Sequence, residues 1–227
     1  MEELQQTKLQ RFIARSLYIF LTPLGLSVLW FYYRIHVHGR HNIPKSADRG
    51  YLIVSNHTLH LDPLVIAYTM FPKRIHHSTI VRNMNLPFVG SFIRLMGGFA
   101  IPMKNGWQQM GEPITERVNQ GWIVHFFPEG KLKKFNQQIQ RFRHGAFHLA
   151  IESNIPVLPI TTVVRRRKWF GRKVHWLPPK VDVYVGELCS PEPYQTITPM
   201  YRRATCMANE VKNNMQDVIV AKGYQVN

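Results

Sequence analysis

Residues 51–63, YLIVSNHTLHLDP, combine a short apolar strand, a turn and the start of a helix. The strand is predicted at residues 52–54, and residues 61–71 predict an apolar helix with a proline in its first turn. A strand of this kind that passes through a turn into an apolar helix is typical of α/β proteins. His57 and Asp62 lie on the turn, so the segment predicts the fold class and a candidate site together.

The spacing of His57 and Asp62 allows the two side chains to meet. Four residues separate them, so a turn that opens into a helix can bring the carboxylate beneath the imidazole. The carboxylate would then fix one ring nitrogen and leave the other as a base toward a hydroxyl. The alternative is that Asp62, directly before Pro63, is only a helix N-cap. The spacing alone leaves both interpretations open.

The composition is that of one domain of ordinary size, with 227 residues of which 45% are hydrophobic. The formal net charge of +16 predicts a polyanionic partner, namely a membrane surface, nucleic acid or an acidic carrier protein. The two cysteines, Cys189 and Cys206, are far apart and form no CxxC or Cys/His pattern. We therefore predict neither a disulfide framework nor a metal site, which fits a reducing compartment.

The N-terminal region contains an uncharged apolar stretch at residues 16–33, SLYIFLTPLGLSVLWFYY. Pro23 and Gly25 divide it into two halves that favour a helical hairpin or an interfacial helix over a straight span. The alternatives are a signal peptide, which lacks its small-residue cleavage site here, and a buried core helix. The aromatic cluster at residues 30–33 is typical of membrane interfaces. We predict that residues 1–33 form an uncleaved membrane anchor.

Beyond residue 33, patterns of strand and helix alternate along the chain. Strands are predicted at residues 34–39, 51–55, 77–82, 99–102, 122–127, 157–164 and 181–186. Helices are predicted at residues 61–71, 87–96, around 115–119, 144–153 and from 198 to about 220. This alternation predicts that residues 34–227 form a single α/β domain, a sandwich around a mixed, largely parallel sheet. Active sites in such folds lie at the carboxyl ends of strands, which is where His57 falls.

Three further turns follow or flank predicted strands. Residues 96–106, MGGFAIPMKNG, have paired glycines that let backbone approach closely, and Lys104 adds a cation. Residues 126–134, FFPEGKLKK, carry three lysines within four residues after a Pro-Glu-Gly turn. Residues 154–160, NIPVLPI, form an apolar strand with prolines on both sides. Each pattern alone also occurs in ordinary turns, solvated faces and core strands.

In this order, and together with NHTLHLD, the three turns resemble the glycerolipid acyltransferases, the family of the bacterial 1-acylglycerol-3-phosphate acyltransferases. The resemblance covers about residues 37–164. It implies that His57 is the general base, that Asp62 orients it, and that the FPEG turn at 127–130 helps to bind the acyl acceptor. The substrate-binding candidates are Asn56, Lys104, Glu129, Gly130 and Lys131.

The activity that this resemblance implies is transfer of a fatty acyl group to the hydroxyl of a lysolipid. The donor would be an acyl thioester, with acyl-CoA or acyl carrier protein as the co-substrate and no bound cofactor. The sequence has no GxSxG elbow, which favours direct attack by the lipid hydroxyl over an acyl-enzyme. Two alternatives stay open: a thioesterase that uses the same dyad with water, and a catalytically silent basic protein that binds membranes or nucleic acid.

The sequence departs from the family pattern where the acceptor headgroup should bind. Lys104 stands where the second motif carries an arginine, and Lys131-Leu132-Lys133 replaces the usual Thr-Arg-Ser after FPEG. A lysine is a point charge that cannot form the bidentate fork of an arginine. Recognition of a phosphate should therefore be less strict, and a lysolipid other than lysophosphatidic acid stays open as the acceptor.

A basic cluster at residues 165–173, RRRKWFGRK, predicts a surface for docking. Solvated charges on an exposed hairpin are the ordinary alternative. Aromatic residues at the tip favour docking on anionic lipid, with acyl carrier protein as a second candidate. Nucleic acid is not expected, because no RNP, KH or helix-turn-helix signature is present. We predict localisation at the cytoplasmic face of the inner membrane, with docking by Arg165, Arg166, Arg167, Lys168, Trp169 and Phe170.

Overall fold

The computed structural model describes residues 16, 25, 27–45, 49–102, 106–170, 172–174, 176–199 and 201–223. Lys104, one of the candidate substrate-binding residues, lies outside these ranges, as does most of the predicted anchor.

In the described part of the chain, nine strands form a seven-stranded sheet and a separate hairpin. The strands are β1 (His36–His38), β2 (Leu52–Ser55), β3 (Ile75–Ile80), β4 (Phe99–Ile101), β5 (Ile123–Phe126), β6 (Val157–Arg165), β7 (Lys168–Trp169), β8 (Arg172–Lys173) and β9 (Lys180–Val185). The sheet order is β1-β9-β6-β2-β5-β3-β4, and β7 pairs with β8. Strands β6, β2, β5, β3 and β4 run parallel, whereas β9 is antiparallel to β6 and parallel to β1. The prediction of a mixed, largely parallel sheet is confirmed.

The helices are α1 (Asp62–Met70), α2 (Val81–Met84), α3 (Val89–Leu95), α4 (Gly106–Asn119), α5 (Gly145–Glu152) and α6 (Tyr201–Ala221). Two short 3₁₀ turns lie at Arg40–Asn42 and Glu192–Tyr194. Most predicted boundaries agree to within a few residues. Helix α4 is much longer than predicted, and α2, which begins directly after β3, was not predicted at all.

Two apolar layers cover the two faces of the sheet, as the alternation along β2 requires. Leu52 and Val54 face the layer formed by α4, α5 and α6, whereas Ile53 faces the layer formed by α1. All four residues of β2 are buried, which explains why the strand reads as a continuous apolar run rather than an alternating one. The arrangement is an α/β sandwich with the sheet in the middle.

Residues 27–33 are helical and belong partly to the second layer. Leu29 and Tyr33 are buried in it, while Trp30 and Phe31 are exposed, Phe31 to 79%. No helix among the described residues is long and apolar enough to cross a membrane. The membrane role of residues 1–33 and the domain boundary at residue 33 stay predictions.

The parallel strands bring several chain segments to one edge of the sheet. We call this the carboxyl edge, because five strands end there, at Ser55, Ile80, Ile101, Phe126 and Arg165. Strand β1 runs in the opposite direction, so the chain that leads from residues 27–33 into β1 enters at the same edge. The hairpin β7–β8, which follows Arg165, also begins there.

Candidate active site

His57 and Asp62 meet at the carboxyl edge, on the turn between β2 and α1. The Nδ1 atom of His57 lies 2.9 Å from Oδ2 of Asp62. A carboxylate only accepts hydrogen bonds, so this contact places the proton of a neutral imidazole on Nδ1 and leaves Nε2 as an acceptor. The side chain of His57 is 20% exposed and that of Asp62 is fully buried. The histidine can therefore be reached by a substrate, whereas the aspartate cannot.

The carboxylate of Asp62 holds the turn together as well as the imidazole. Its Oδ2 accepts hydrogen bonds from the backbone N–H groups of Thr58 at 2.6 Å and Leu59 at 2.8 Å. Burial raises the pKa of Asp62, and these hydrogen bonds, with that from His57, oppose the increase. The capping position of α1 is Leu61, which makes no side-chain capping bond. Asp62 therefore does not act as an ordinary N-cap.

Glu129, in the FPEG turn, is buried against the backbone of the histidine. Its Oε1 accepts a hydrogen bond from the N–H of His57 at 3.1 Å, and its Oε2 accepts one from the N–H of Gln140 at 3.4 Å. Burial raises the pKa of Glu129 to about 7, with the two backbone donors opposing the increase. The structure therefore shows that Glu129 helps to position His57, and its predicted contact with substrate stays a prediction.

The segment after FPEG is bonded to the same turn by two backbone hydrogen bonds. The N–H of Lys133 donates to the carbonyl of His57, and the N–H of Phe135 donates to the carbonyl of Thr58, both at 3.1 Å. Two motifs that lie about 70 residues apart in the chain thus form one rigid unit.

Asn56 is buried, and both ends of its amide are used within the fold. Its Nδ2 donates to the carbonyl of Thr162 at 2.8 Å, and its Oδ1 accepts from the N–H of Thr162 at 2.7 Å. These bonds continue the β2–β6 pairing by one residue beyond the strand. Asn56 was predicted to bind substrate, and the structure instead gives it the role of fixing the start of the catalytic turn on β6.

Two side chains that the sequence did not single out pack next to the imidazole, one directly and one through the first. The ring of Phe127 stacks on His57 with ring centroids 4.1 Å apart. The same ring also packs edge-on against His125, with ring centroids 4.4 Å apart. His125 is fully buried and hydrogen-bonds Ser55 Oγ and His77 Nδ1, each at 2.8 Å. Burial lowers the pKa of His125, with the neighbouring His77 adding to the effect, so the ring stays neutral. The sequence signal that could have indicated this residue is a histidine within the otherwise apolar stretch WIVHFF, residues 122–127.

Two cationic side chains, those of Arg143 and Lys131, lie on the exposed side of the FPEG turn. Gly130 has φ of +66°, and a Cβ on it would lie 2.6 Å from Nε of Arg143, so the guanidinium packs directly over this glycine. The backbone N–H of Arg143 donates to the carbonyl of Pro128 at 2.8 Å. Lys131 is exposed beside them. Arg143 was not predicted; its planar guanidinium lies at the FPEG turn, after which Lys131-Leu132-Lys133 replaces the usual Thr-Arg-Ser.

Arg165 was predicted to dock on a partner; the structure shows that it also forms an ion pair inside the fold, and the docking role stays a prediction. Its Nε donates to Oδ2 of Asp182 at 2.6 Å, and its Nη2 contacts the same oxygen. Asp182 is buried in β9, where a carboxylate requires such a partner. Arg165 therefore joins β6 to β9.

The rest of the basic cluster lies on an antiparallel hairpin, formed by β7 and β8. Nη2 of Arg167 donates to the carbonyl of Tyr32 at 2.7 Å, which connects the hairpin to residues 27–33. Arg166 lies over the ring of Phe135, 4.4 Å from its centroid. Phe170, at the tip, is 92% exposed. The side chains of Lys168 and Trp169 are outside the described part, so their docking role stays a prediction.

A cleft of about 260 Å³ opens beside the catalytic turn. It lies between residues 27–33, the turn, the segment after FPEG and the hairpin. Its lining is aromatic, aliphatic and cationic, with contributions from Tyr32, Tyr33, Leu59, His60, Lys134, Phe135, Arg166, Trp176, Leu177, Pro178 and Pro179. No carboxylate is among these lining residues. The cleft therefore has the chemistry of a site for an amphiphile with an anionic group.

A family model described as Acyltransferase matches residues 34–163, more than half of the chain. The chain belongs to the acyltransferase family. This membership confirms the resemblance seen in the sequence motifs, and the matched residues include both members of the His57–Asp62 pair. Glu129 and Arg143 also lie within the matched part of this acyltransferase-family chain.

The chain is similar to several proteins that carry the name 1-acyl-sn-glycerol-3-phosphate acyltransferase. It is 29% identical over 152 residues to the chloroplastic protein BAT2 of Brassica napus, which covers 65% of this chain and 42% of that protein. Identity to the alpha protein of Ovis aries is 32%, over 56% of this chain and 44% of that one. Identity to the Bacillus subtilis protein is 25%, over 66% and 68%. The chain thus matches about two fifths of the length of the plant and sheep relatives.

The fold is similar to that of a solved structure, the 1-acyl-sn-glycerophosphate acyltransferase PlsC from Thermotoga maritima. The TM-score is 0.63, and the match covers 96% of this chain and 85% of that one at 19% sequence identity. At this level of identity the similarity concerns the fold, and it agrees with the α/β architecture described above.

Proposed function

We propose that this chain transfers a fatty acyl group from an acyl thioester to the hydroxyl of a lysolipid, with His57 as the general base. The observation that carries the proposal is the 2.9 Å contact between Nδ1 of His57 and the buried Asp62. This contact orients Nε2, the remaining acceptor of a neutral imidazole, toward a substrate hydroxyl.

The proposed reaction needs no covalent intermediate on the protein. The lysolipid hydroxyl gives its proton to Nε2 of His57 as its oxygen attacks the thioester carbonyl carbon. The tetrahedral oxyanion then collapses, the carbon–sulfur bond breaks, and the leaving thiolate takes the proton from the imidazolium. An ester and a free thiol result, and the imidazole is neutral again. Asp62 stabilises the transient imidazolium by its negative charge.

Three backbone N–H groups of the turn are already used and do not serve as donors for the oxyanion. The backbone N–H of His57 is used by Glu129, and those of Thr58 and Leu59 are used by Asp62. These three groups fix the geometry of the base, so none of them is available to a developing charge.

For the acceptor, we propose 1-acylglycerol-3-phosphate or a related lysophospholipid. The names of the relatives and the cations at the FPEG turn support this choice. Arg143 supplies a fork for two phosphate oxygens, and Lys131 supplies a point charge beside it. The aromatic and aliphatic lining of the neighbouring cleft suits the apolar part of an amphiphile.

The donor and the location belong to the same proposal. The donor is an acyl thioester of coenzyme A or of acyl carrier protein, and the protein works on a membrane at the cytoplasmic face of the inner membrane. The net charge of +16 supports attraction to anionic lipid and to an acidic carrier protein.

One assay tests the activity and separates it from the alternatives. Purified protein is incubated with radiolabelled acyl-CoA or acyl carrier protein and a panel of lysolipids, and each acyl product is separated. The proposal predicts labelled diacyl lipid that appears only when a lysolipid is present. Free fatty acid at the same rate with and without lysolipid would indicate a thioesterase, and no turnover with any donor would indicate a silent binding protein. Either result would overturn the proposal.

A further inference from the structure

An exposed apolar surface extends from the end of β3 through α2 and α3. Its side chains are all large and apolar, and all are exposed: Ile80, Val81, Leu86, Phe88, Val89 and Phe92. We call these six residues the apolar ridge. Six exposed large apolar side chains within 13 residues are more than scattered surface apolar residues account for, and such patches mark interaction sites.

Packing of the backbone holds the apolar ridge in a fixed position. Met84 anchors α2 in the interior, and a Cβ on Gly90 would lie 1.9 Å from the carbonyl oxygen of Met84, so α3 packs directly on α2 through a glycine. Phe88 has φ of 60°, a region that bulky residues avoid, and its side chain is 90% exposed. The backbone therefore holds an aromatic ring in solvent in a strained conformation, a combination that points to function.

The charges around the ridge are of one sign. Arg82 and Arg94 are both exposed on the same two helices. The sequence contains no aspartate or glutamate from residue 63 to residue 111. A bilayer with anionic lipids has an apolar interior covered by negatively charged headgroups. Apolar side chains flanked by arginines are complementary to such a surface. A second copy of the chain matches less well, because it would bring like charges together.

The ridge and the dyad share the carboxyl edge. Ile80 ends β3, and only β5 separates β3 from β2, so the ridge begins about 10 Å across the sheet from the catalytic turn. On the other side of the turn, residues 27–33 approach the same edge with Trp30 and Phe31 exposed. His57 thus lies between two exposed apolar surfaces.

We propose that the apolar ridge is a second membrane-contacting element, which inserts into an anionic bilayer on the side of the dyad opposite to residues 27–33. Contact on both sides would turn the carboxyl edge toward the lipid and place His57 over it. The inference rests on the proposed function only in taking the acceptor from a membrane.

The direct test reports lipid contact at a single position. In a Cys189→Ser/Cys206→Ser background, Phe88→Cys is labelled with an environment-sensitive nitrobenzoxadiazole dye and mixed with vesicles of phosphatidylcholine and phosphatidylglycerol. The matched control is Gln120→Cys, which is also exposed but precedes β5 and so lies at the opposite edge of the sheet. The inference predicts a blue shift and a rise in emission for the label at position 88 and no change for the control.

Three results would overturn the inference. One is an unchanged emission at position 88 while the protein sediments with the vesicles. Another is failure of the protein to bind these vesicles at all. The third is a blue shift that grows with protein concentration without vesicles, which would make the ridge an interface between copies. None of these readings requires acyl transfer, so the inference and the proposed function can fail separately.

A kinetic arm uses Phe88→Asp, which replaces an apolar group with a negative charge. With lysolipid presented in anionic vesicles, the apparent KM should rise about tenfold relative to the same lysolipid in detergent micelles, because the lost contact is with the bilayer. An equal change in both presentations would contradict contact with the bilayer and assign Phe88 to the substrate site.

Discussion

Phe127 stacks on the imidazole of His57 with ring planes 22° apart and centroids 4.1 Å apart. The phenylalanine belongs to the FPEG motif and the histidine to the NHTLHLD motif, so the ring of one motif packs against the proposed base of the other. This contact predicts that the aromatic ring of FPEG acts on the rate through the orientation of His57.

A Phe127→Leu variant keeps an apolar side chain but loses the flat face. We expect kcat to fall about tenfold with little change in KM, because the base is less well aligned while substrate contacts remain. Phe142→Leu is the matched control, since Phe142 is a buried core ring that stacks on Phe147. It should lower the melting temperature without the loss in kcat. Equal losses of kcat in the two variants would show that the effect is one of stability alone.

The raised pKa of Glu129 should make the free energy of unfolding depend on pH. The folded chain holds the proton of this carboxyl up to about pH 7, whereas the ordinary pKa is 4.5. Between these values the unfolded chain binds fewer protons, so the free energy of unfolding falls as the pH rises, by at most about 3 kcal/mol for this group. Glu129→Gln should remove that part of the slope.

The measurement is urea unfolding of wild type and variant at a series of pH values from 4.5 to 8. Glu152→Gln is the control, because Glu152 is exposed on α5 and should leave the slope as it is in the wild type. An identical slope in the wild type and in Glu129→Gln would contradict the raised pKa. The comparison with wild type also cancels the contributions of the other buried acids and histidines.

We expect Arg143 to contribute to the affinity for a phosphorylated acceptor. Arg143→Ala should raise the apparent KM for a phosphorylated acceptor about tenfold or more, since a charge-assisted bond to phosphate is lost. Arg143→Lys should recover only part of that loss, because a lysine cannot form the fork. Arg141→Ala, two residues away and also exposed, is the control. If Arg143→Ala raised the KM no more than Arg141→Ala does, the phosphate site would lie elsewhere.

The structure indicates where the N-terminal region can be removed without loss of core contacts. Leu29 and Tyr33 are buried in the apolar layer, and Arg167 bonds the carbonyl of Tyr32, so removal of residues 1–33 would damage the domain. Removal of residues 1–26 keeps these contacts. The shortened protein should remain folded but sediment with anionic vesicles less completely than the full-length chain at high salt, where surface charges are screened and only apolar contacts remain. Equal sedimentation of the two proteins at high salt would argue against the anchor role of the N-terminal region.

The strand, turn and helix around His57 could be predicted from the sequence because their signals are local. A buried strand and an apolar helix each have their own hydrophobic pattern, and the spacing of His57 and Asp62 limits how far apart the side chains can be. The 2.9 Å contact between them agrees with that prediction. Their catalytic roles are the subject of the experiments proposed above.

Contacts between distant parts of the chain could not be read in the same way. Asn56 looked like a substrate contact because it precedes the histidine, yet its partner, Thr162, is 106 residues further on. Arg165 belongs by sequence to a basic cluster, and nothing local indicated its ion pair with Asp182 of β9. Helix α2 depends on the close approach that Gly90 allows, which has no periodic signal. In each case tertiary contacts decided the role of a residue whose local pattern was ambiguous.

We propose that Asp62 acts through its charge on His57, and the Asp62→Asn variant separates this role from its role in holding the turn. The amide keeps an oxygen that can accept from the N–H groups of Thr58 and Leu59, so the turn should still form, which a melting curve checks. It lacks the negative charge that stabilises the imidazolium during proton transfer. We expect acyl transfer by the folded variant to fall at least about 100-fold. A folded Asp62→Asn protein with the wild-type transfer rate would contradict it.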